Sequence, residues 1–431
     1  MSWTITPEQH AAFADLSGDY NPLHHDPQVA RRLPFGRVAV HGMHLVVHEL
    51  ERADVNPTAL HGTFRNPVGP GEPLESVVDD GRIQVSSHTR AILDLTVTGG
   101  LATVPARAVE PPPFGWNVRP EPRQLGDLAE GRRDSIPVWG DAEAITAAFP
   151  RLVTRIGARG VAELLAVTRL VGMHVPGLHS MFSSFDLRRH HEPDDDGLGF
   201  TVTRIDERFG LVTIDVGSAV WGGRLKAFVR PAPVDVSADT SAVSPDEFAD
   251  ERWLVVGGSR GLGAAAAQLL RAGGADARIT YHQGLVHGAW QVDAAAPLTG
   301  LAAVTADGWS PTHLGWFASP PIFSDTSFDR FAAVYVDGFT TAVEQLADGL
   351  SGALWPSSEA VDGEVPGLAD YAAAKRLGER CCAELAERFG LRIVAPRWPR
   401  LLTDQSTSFV PVEFGDITAE VLTALRALSG T

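Results

Sequence analysis

Asp19 and His24 stand five residues apart in Ser17-Gly18-Asp19-Tyr20-Asn21-Pro22-Leu23-His24. Pro22 interrupts any helix and favours a turn or extended path, which can aim a carboxyl and an imidazole into one cleft. Downstream, Ala39-Val40-His41-Gly42-Met43 leads into an apolar run. A helix opening at Gly42 would present free backbone N–H groups and the positive end of its dipole. An acid, an imidazole and a helix start in one short stretch can move protons beside a carbonyl and stabilise the charge that develops on its oxygen. Asp-x-Asn-Pro-x-His alone also reads as an ordinary capped turn; its combination with the glycine-opened helix is what favours chemistry. His25, His44 and His48 have no partner at a recognisable spacing and are expected at the surface or lining a groove.

A second constellation lies in the last third of the chain. Trp253-Leu254-Val255-Val256-Gly257-Gly258-Ser259-Arg260-Gly261-Leu262-Gly263 is an apolar strand running into a Gly-rich turn and an Ala-rich helix. That is the opening of a doubly wound nucleotide-binding sheet, with small residues letting the backbone approach a pyrophosphate at a helix N-terminus. Gly257, Ser259, Arg260, Gly261, Leu262 and Gly263 are the candidate nucleotide-binding residues. The second strand ends in Thr280-Tyr281-His282. No acid stands there for a ribose 2′-hydroxyl, and Arg260 is placed to meet a 2′-phosphate, so NADPH is expected over NADH. Tyr371 and Lys375 stand one helical turn apart, with Ser358 thirteen residues before the tyrosine. A phenol, which titrates near pH 10, needs such a cation to work at neutral pH.

The elements around these residues follow from pattern. The 431 residues, 44% hydrophobic, are enough for several cores. Thr6 and Pro7 start a helix reaching Leu16, and residues 40–53 form a mostly apolar helix. Strand-like runs 61–68, 74–89 and 90–100 follow, bounded by Gly and Pro. Residues 107–135 are rich in Pro and charge and read as a connector. A second unit starts near Ile136: a helical segment over 147–180, then strands 182–190, 197–206, 210–219 and 224–231. Val171-Gly172-Met173 echoes the His41-Gly42-Met43 helix start, without an Asp-x-Asn-Pro-x-His before it. His174 and His179 are expected as pocket wall. Residues 231–250 are a second linker.

The motif residues also resemble known families. Phe13-x-x-Leu16-Ser17-Gly18-Asp19-x-Asn21-Pro22-x-His24-x-Asp26, with Phe35-Gly36-x-Val38 through His41-Gly42-Met43, resembles the MaoC-like (R)-specific enoyl-CoA hydratases and dehydratases of the hotdog fold; Phe64 to Glu72 resembles a hairpin of the same family. The resemblance implies that Asp19 and His24 act as a dyad, that Asn21 orients it, and that the Gly42 N–H meets the thioester oxygen. Gly257, Gly261 and Gly263 with Ser358, Tyr371 and Lys375 resemble the short-chain dehydrogenases/reductases. There Tyr371 would exchange a proton with the substrate oxygen, Lys375 would lower its pKa and hold the ribose, and Ser358 would orient the carbonyl. The chain departs from that family at Val256, at Phe317 to Pro321 in place of Asn-Asn-Ala-Gly, and at Tyr335, where an asparagine is expected.

The expected architecture is an α+β double hotdog followed by an α/β Rossmann-type doubly wound parallel sheet. The expected domains are a catalytic hotdog at 1–108, a second hotdog at 136–232 that lacks the dyad and helps shape an acyl tunnel, and a reductase-like domain at 251–431. The expected activity is NADPH-dependent reduction of a 3-ketoacyl thioester and dehydration of the 3-hydroxyacyl product, in a polyketide- or fatty-acid-like setting. The alternative is a dehydratase whose reductase-like domain is silent. The acyl group would ride on an acyl carrier protein or coenzyme A. Arg31, Arg32 and Arg37, or Arg188 and Arg189, offer a basic patch for such a carrier. A net charge of −17 argues against nucleic acid, no apolar run is long enough for a membrane span, and no metal site is expected. The adjacent cysteines Cys381 and Cys382 suit a reduced, cytoplasmic protein rather than a disulfide. A homodimer is left open.

Overall fold

In a computed structural model, which describes residues 2–33, 35–100, 108–111, 119–190, 197–283, 286–322, 326–408 and 412–429, Thr6 caps the first helix, Pro7–Ser17. Its hydroxyl accepts the Gln9 N–H at 3.2 Å, and the Gln9 side chain accepts the Thr6 N–H at 3.0 Å. This reciprocal cap satisfies two donors that the helix cannot use itself. Gly18, left-handed at φ 70°, ends the helix and turns the chain so that Asp19 enters the interior. The chain forms two compact units, Met1–Arg31 with Arg37–Ala232, and Arg32–Gly36 with Pro233–Thr431.

The first unit is built on one ten-stranded sheet. Its strands are β1 (Ser2–Trp3), β2 (Pro57–Phe64), β3 (Leu74–Asp79), β4 (Arg82–Ser87), β5 (Arg90–Gly99), β6 (Arg133–Pro137), β7 (Ser180–Arg189), β8 (Gly197–Asp206), β9 (Leu211–Gly217) and β10 (Trp221–Val229). They lie in the order β1-β3-β4-β5-β2-β7-β10-β9-β8-β6, each antiparallel to its neighbours. Along β4, Ile83, Val85 and Ser87 are buried while Arg82 and Gln84 face out, the period of two expected of a half-buried strand. The helix Gly42–Arg52 buries Met43, Leu45, Val46, Val47 and Leu50, and the helix Pro150–Arg169 buries nearly all of its second half. Both helices share a single core with the inward residues of the strands.

Three expectations about this unit are corrected. The strand β6 begins at Arg133, inside the predicted connector, because Arg133–Pro137 finds a partner in β8; the connector's earlier part falls largely outside the described residues. The long helical segment is divided: Pro150 starts a new helix after Ala142–Ala148, Gly157 at φ 76° is non-helical, and a π-helical turn over Leu170–His174 ends it. Gly172 therefore lies at a helix's end, whereas Gly42 opens one, so the two Gly-Met pairs are not equivalent. His44 is also not at the surface. It is 6% exposed and stacks on Phe13, with ring centroids 4.3 Å apart.

The second unit carries β11 (Arg252–Val256), β12 (Asp276–Tyr281), β13 (Trp290–Gln291), β14 (His313–Trp316), β15 (Gly352–Leu354) and β17 (Arg392–Val394) in a parallel sheet, together with a separate parallel pair, β16 (Ser357–Ser358) and β18 (Arg397–Trp398). The six-stranded order is β13-β12-β11-β14-β15-β17. The chain steps outward from β11 in one direction and then reverses to β14. The crevice at such a reversal is where doubly wound sheets bind dinucleotides. The Gly-rich turn follows β11 there, and the helix Gly261–Ala272 opens from it. Among the described residues no helix is long and apolar enough to cross a membrane. Cys381 and Cys382 are both free and buried.

Candidate functional site

Asp19, Asn21 and His24 are fixed by the turn that follows the first helix. Asn21 caps the short 3-10 turn Pro22–His24 by accepting the Leu23 N–H, and its own N–H donates to Asp19 Oδ1, both at 3.2 Å. Its amide donates to the carbonyls of Gly172 at 2.9 Å and of Gly177 and Leu178 at 3.3 Å. His24 Nδ1 lies 2.7 Å from the Ala39 carbonyl. Only an N–H can make that bond, so Nε2 is left as the bare, basic nitrogen. The structure thus brings the predicted acid, imidazole and asparagine together.

It also adds residues that spacing did not reveal. Asp19, His24 and His41 each place one oxygen or nitrogen within 4.8 Å of the other two. His41 donates from Nε2 to the Asp19 backbone carbonyl at 2.9 Å. Its ring stacks on that of His24, with centroids 3.8 Å apart and planes 25° from parallel. Stacked rings hold their in-plane lone pairs side by side, which does not suit two ligands converging on one metal ion. The Thr168 hydroxyl donates to Asp19 Oδ2 at 2.7 Å, and a Cβ at Gly172 would overlap Asp19 Oδ1. Thr168 had no signal in the sequence, and Gly172 stood out only as an echo of the Gly42 helix start, since both lie about 150 positions away from Asp19. Gly42 is the first residue of its helix, so its N–H is not used by the helix. The Phe64 ring closes over it, and a Cβ at Gly42 would come within 2.7 Å of that ring. His174 has an acid partner, Glu121 at 3.4 Å, and His179 is buried near Arg230.

Burial dominates the electrostatics here. It raises the Asp19 carboxyl and lowers the His24 imidazole, against the attraction each would feel for the other's charge. The form that burial favours is a protonated acid beside a neutral imidazole. His41 is pushed well below its ordinary value, His10 to about 4, His44 to about 3 and His48 to about 4, all chiefly by burial. These histidines are neutral when folded but protonate near 6.5 when unfolded, so the unfolded chain binds more protons across that interval. The stability they contribute is complete above pH 6.5 and falls as the pH drops toward 4. The raised carboxyls of Asp19 and Glu49 act in the opposite sense just above their ordinary range. We expect urea unfolding of the first unit's core to show a clear loss of stability between pH 7 and 5, and His44→Phe to flatten it. An unchanged slope in that variant would contradict the assignment.

In the second unit the glycines fit a nucleotide turn. Gly257 has φ 79°, and a Cβ there would approach the Ala318 backbone N to 2.6 Å; a Cβ at Gly263 would overlap the Gly257 carbonyl. Thr280 Oγ1 accepts the Gly257 N–H at 3.1 Å and secures the turn to β12. Ser259 and Leu262 flank the helix start at Gly261, which leaves backbone donors for a pyrophosphate. Arg260, expected at a 2′-phosphate, has a guanidinium nitrogen 3.8 Å from Asp404. Burial raises the Tyr371 phenol's pKa, and Ser358 nearby opposes that rise. Lys375 donates to the Pro356 carbonyl at 2.6 Å, and its ammonium lies 3.9 Å from the Tyr335 ring centroid and 4.4 Å from that of Trp355. Burial lowers it to about 7. Tyr335, at the expected asparagine position, bonds to Ser319 at 2.6 Å and forms one wall of this box.

The arginines read as a basic patch are largely committed. Arg32, in the second unit, bonds Asp235 at 2.7 Å and Asp404 at 3.0 Å, and Arg37 pairs with Glu72. Arg188 lies 3.7 Å from Asp186, and Arg189 donates to Asn56 at 2.9 Å.

Comparison with known proteins gives one family match and several partial structural likenesses. Residues 1–92 match the family model described as MaoC like domain. No curated protein matches the chain. Among solved structures, a short chain dehydrogenase from Burkholderia cenocepacia in complex with NADP is 24% identical, covering 42% of this chain and 91% of that one at a TM-score of 0.36. An oxidoreductase from E. coli is 17% identical, covering 43% and 91% at 0.37. A reductase described as catalysing keto-reduction at C1 during lugdunomycin biosynthesis is 16% identical, covering 43% and 92% at 0.35. Asp19, Asn21, His24 and Gly42 all fall inside the matched family stretch: residues 1–92 are a MaoC-like domain.

Proposed function

We propose that the first unit is a double hotdog that dehydrates 3-hydroxyacyl thioesters at Asp19 and His24, and that the second unit supplies its substrate by NADPH-dependent reduction of the 3-ketoacyl thioester. The observation that carries the dehydratase reading is the buried acid–imidazole pair with His24 Nδ1 tied to Ala39, which leaves one bare base and one proton donor. His24 Nε2 takes the α-proton, and the electron pair moves toward the thioester carbonyl. The Gly42 N–H, at a helix N-terminus, faces the oxygen charge that results. The β-hydroxyl departs with the Asp19 proton as water, leaving the 2-enoyl thioester. The carboxylate and imidazolium that remain reset by one proton transfer. The reverse sequence is hydration.

For the second unit, the glycine cradle and helix start fit a dinucleotide phosphate, with Gly257, Ser259, Gly261, Leu262 and Gly263 holding it and Arg260 nearby. NADPH would supply the hydride. Tyr371, kept protonated by burial, suits proton donation to a ketone oxygen, the reductive direction. The enclosure of Lys375 by Tyr335, Trp355 and Pro356 favours a second reading, in which this unit binds nucleotide without reducing anything. Tethering the two steps would raise the local concentration of the 3-hydroxy intermediate.

The test is intact-mass analysis of a 3-ketoacyl thioester, on coenzyme A and on a carrier protein, incubated with the chain and NADPH. The enoyl mass supports both steps, and the better-used carrier identifies the partner. Water loss only from supplied (R)-3-hydroxyacyl thioester supports the dehydratase with a silent second unit. No change in either experiment overturns the proposal.

A further inference from the structure

The second half of the first unit does more than wall a tunnel. Thr168 sits in the last turn of the helix Pro150–Arg169, where a threonine hydroxyl ordinarily bonds a carbonyl one turn back in its own helix. Here it donates instead to Asp19 Oδ2 at 2.7 Å, across 149 residues, with Thr168 4% and Asp19 1% exposed. Among the described residues it is the one side-chain hydrogen bond to that carboxyl. The adjoining turn is shaped to the same end. Leu170–His174 is π-helical, a local widening frequent at functional sites. It brings Gly172 flush against Asp19 Oδ1 and offers the Gly172 carbonyl to the Asn21 amide. Arg169 anchors the helix end by donating to the Ser17 and Pro137 carbonyls while stacking over Trp139 at 3.8 Å.

We infer that Thr168 is a positioning residue for the dehydration, fixing the Asp19 carboxyl through Oδ2 while the Asn21 N–H holds it through Oδ1, so that the carboxyl keeps one orientation toward His24. This rests on the proposed dehydratase reading. The hydroxyl donor also favours the ionised carboxyl, opposing burial. The charged and titratable groups facing Asp19 are His24, His25 and His41 on its own half and Arg169 on the other. All of them remain in a Thr168 variant, so any change in titration belongs to the lost hydroxyl.

The active pair carries one proton between its two groups, which gives a bell-shaped pH profile whose limbs belong to the pair. Removing the donor raises the Asp19 pKa. Whichever group holds the proton, one limb then moves to higher pH and neither moves lower. The experiment uses the full chain with (R)-3-hydroxybutyryl-CoA. Thr168→Val is expected to lower kcat roughly ten- to hundredfold, the size of one hydrogen bond to a charged group, with KM nearly unchanged and one limb displaced upward. Thr168→Ser should restore both. NMR titration of the Asp19 carboxyl in the same variants reads the coupling without any turnover. A wild-type chain that fails to dehydrate would therefore overturn the functional reading, while an Asp19 titration that is the same in Thr168→Val would overturn this inference. If Thr168→Val does not fold, Thr168→Ala removes the hydroxyl without the branched bulk and is read in the same way. A variant whose KM rises while its pH limbs stay in place would show a structural role only.

Discussion

His24→Ala is expected to yield a folded chain whose dehydration of a 3-hydroxyacyl thioester is slower by roughly a hundredfold to ten-thousandfold, the range for a positioned acid or base. Asp19→Asn does the same, because an amide keeps the shape and can still accept the Thr168 hydroxyl but has no acidic proton to give. The measurement is formation of the conjugated enoyl thioester, followed by ultraviolet absorbance, beside NADPH oxidation driven by a 3-ketoacyl thioester. The second signal should be unchanged in both variants, since Tyr371 and Lys375 lie on the other compact unit. Thermal unfolding of each variant guards against a trivial loss. His24 makes its structural bond through Nδ1 to Ala39, and its removal also uncovers His41 beneath it, so Asp19→Asn is the cleaner of the two. Loss of both activities together in a folded Asp19→Asn chain would sink the two-site arrangement.

Tyr371→Phe should remove ketone reduction by a comparable factor while leaving NADPH binding and dehydration intact. Burial raises the phenol's pKa against the smaller, opposing effect of Ser358, so it is protonated at neutral pH and serves as the proton donor. As the proton leaves, the phenolate that forms is helped by a cation nearby, and Lys375 stands one turn along the same helix. Lys375 holds its charge below about 7 and loses it above, so the reduction rate should fall as the pH rises through 7, and Lys375→Met should flatten that fall. Linkage gives a second readout. Between about 7 and the ordinary lysine value of 10.5 the unfolded chain binds more protons than the folded one, so this group makes the unit more stable as the pH rises. If the unmodified chain binds NADPH but oxidises none with any ketoacyl thioester, the second unit is a nucleotide-binding fold without turnover.

Local signals were readable because their causes are local. Thr6, Pro7 and Gln9 define a helix start through backbone groups a few residues apart, and the Asp19 to His24 turn is held by the Asn21 cap. The strand at Arg252–Val256, its Gly-rich turn and the next helix follow one another in the chain, and the steric demand on Gly257 and Gly263 is met within the same loop and its neighbour after β14. What was hidden depends on partners far away in sequence. Nothing around Thr168 marks its hydroxyl for a carboxyl 149 residues earlier. Arg133–Pro137, a charged and proline-ended stretch, became β6 only because β8 presented a free edge. The Val171-Gly172-Met173 echo misled because a glycine before a methionine records small size, and that smallness serves Asp19 rather than a helix N-terminus. His44 read as polar, yet one face of its ring packs as flatly on Phe13 as a phenyl would.

The pairing of β2 with β7, running from Ala59 opposite Arg188 to Thr63 opposite Ser184, joins the motif-bearing half to its companion as one continuous fabric. A gene fragment ending after the family-matched stretch would retain Asp19, Asn21, His24 and Gly42, yet strip β2 of β7 and of most of β5 and expose raw strand edges of the kind that recruit other chains. It would also separate the acid from Thr168. The motif marks the proposed catalytic groups without delimiting a portable cassette, so any recombination meant to transplant that chemistry has to carry the chain through β10.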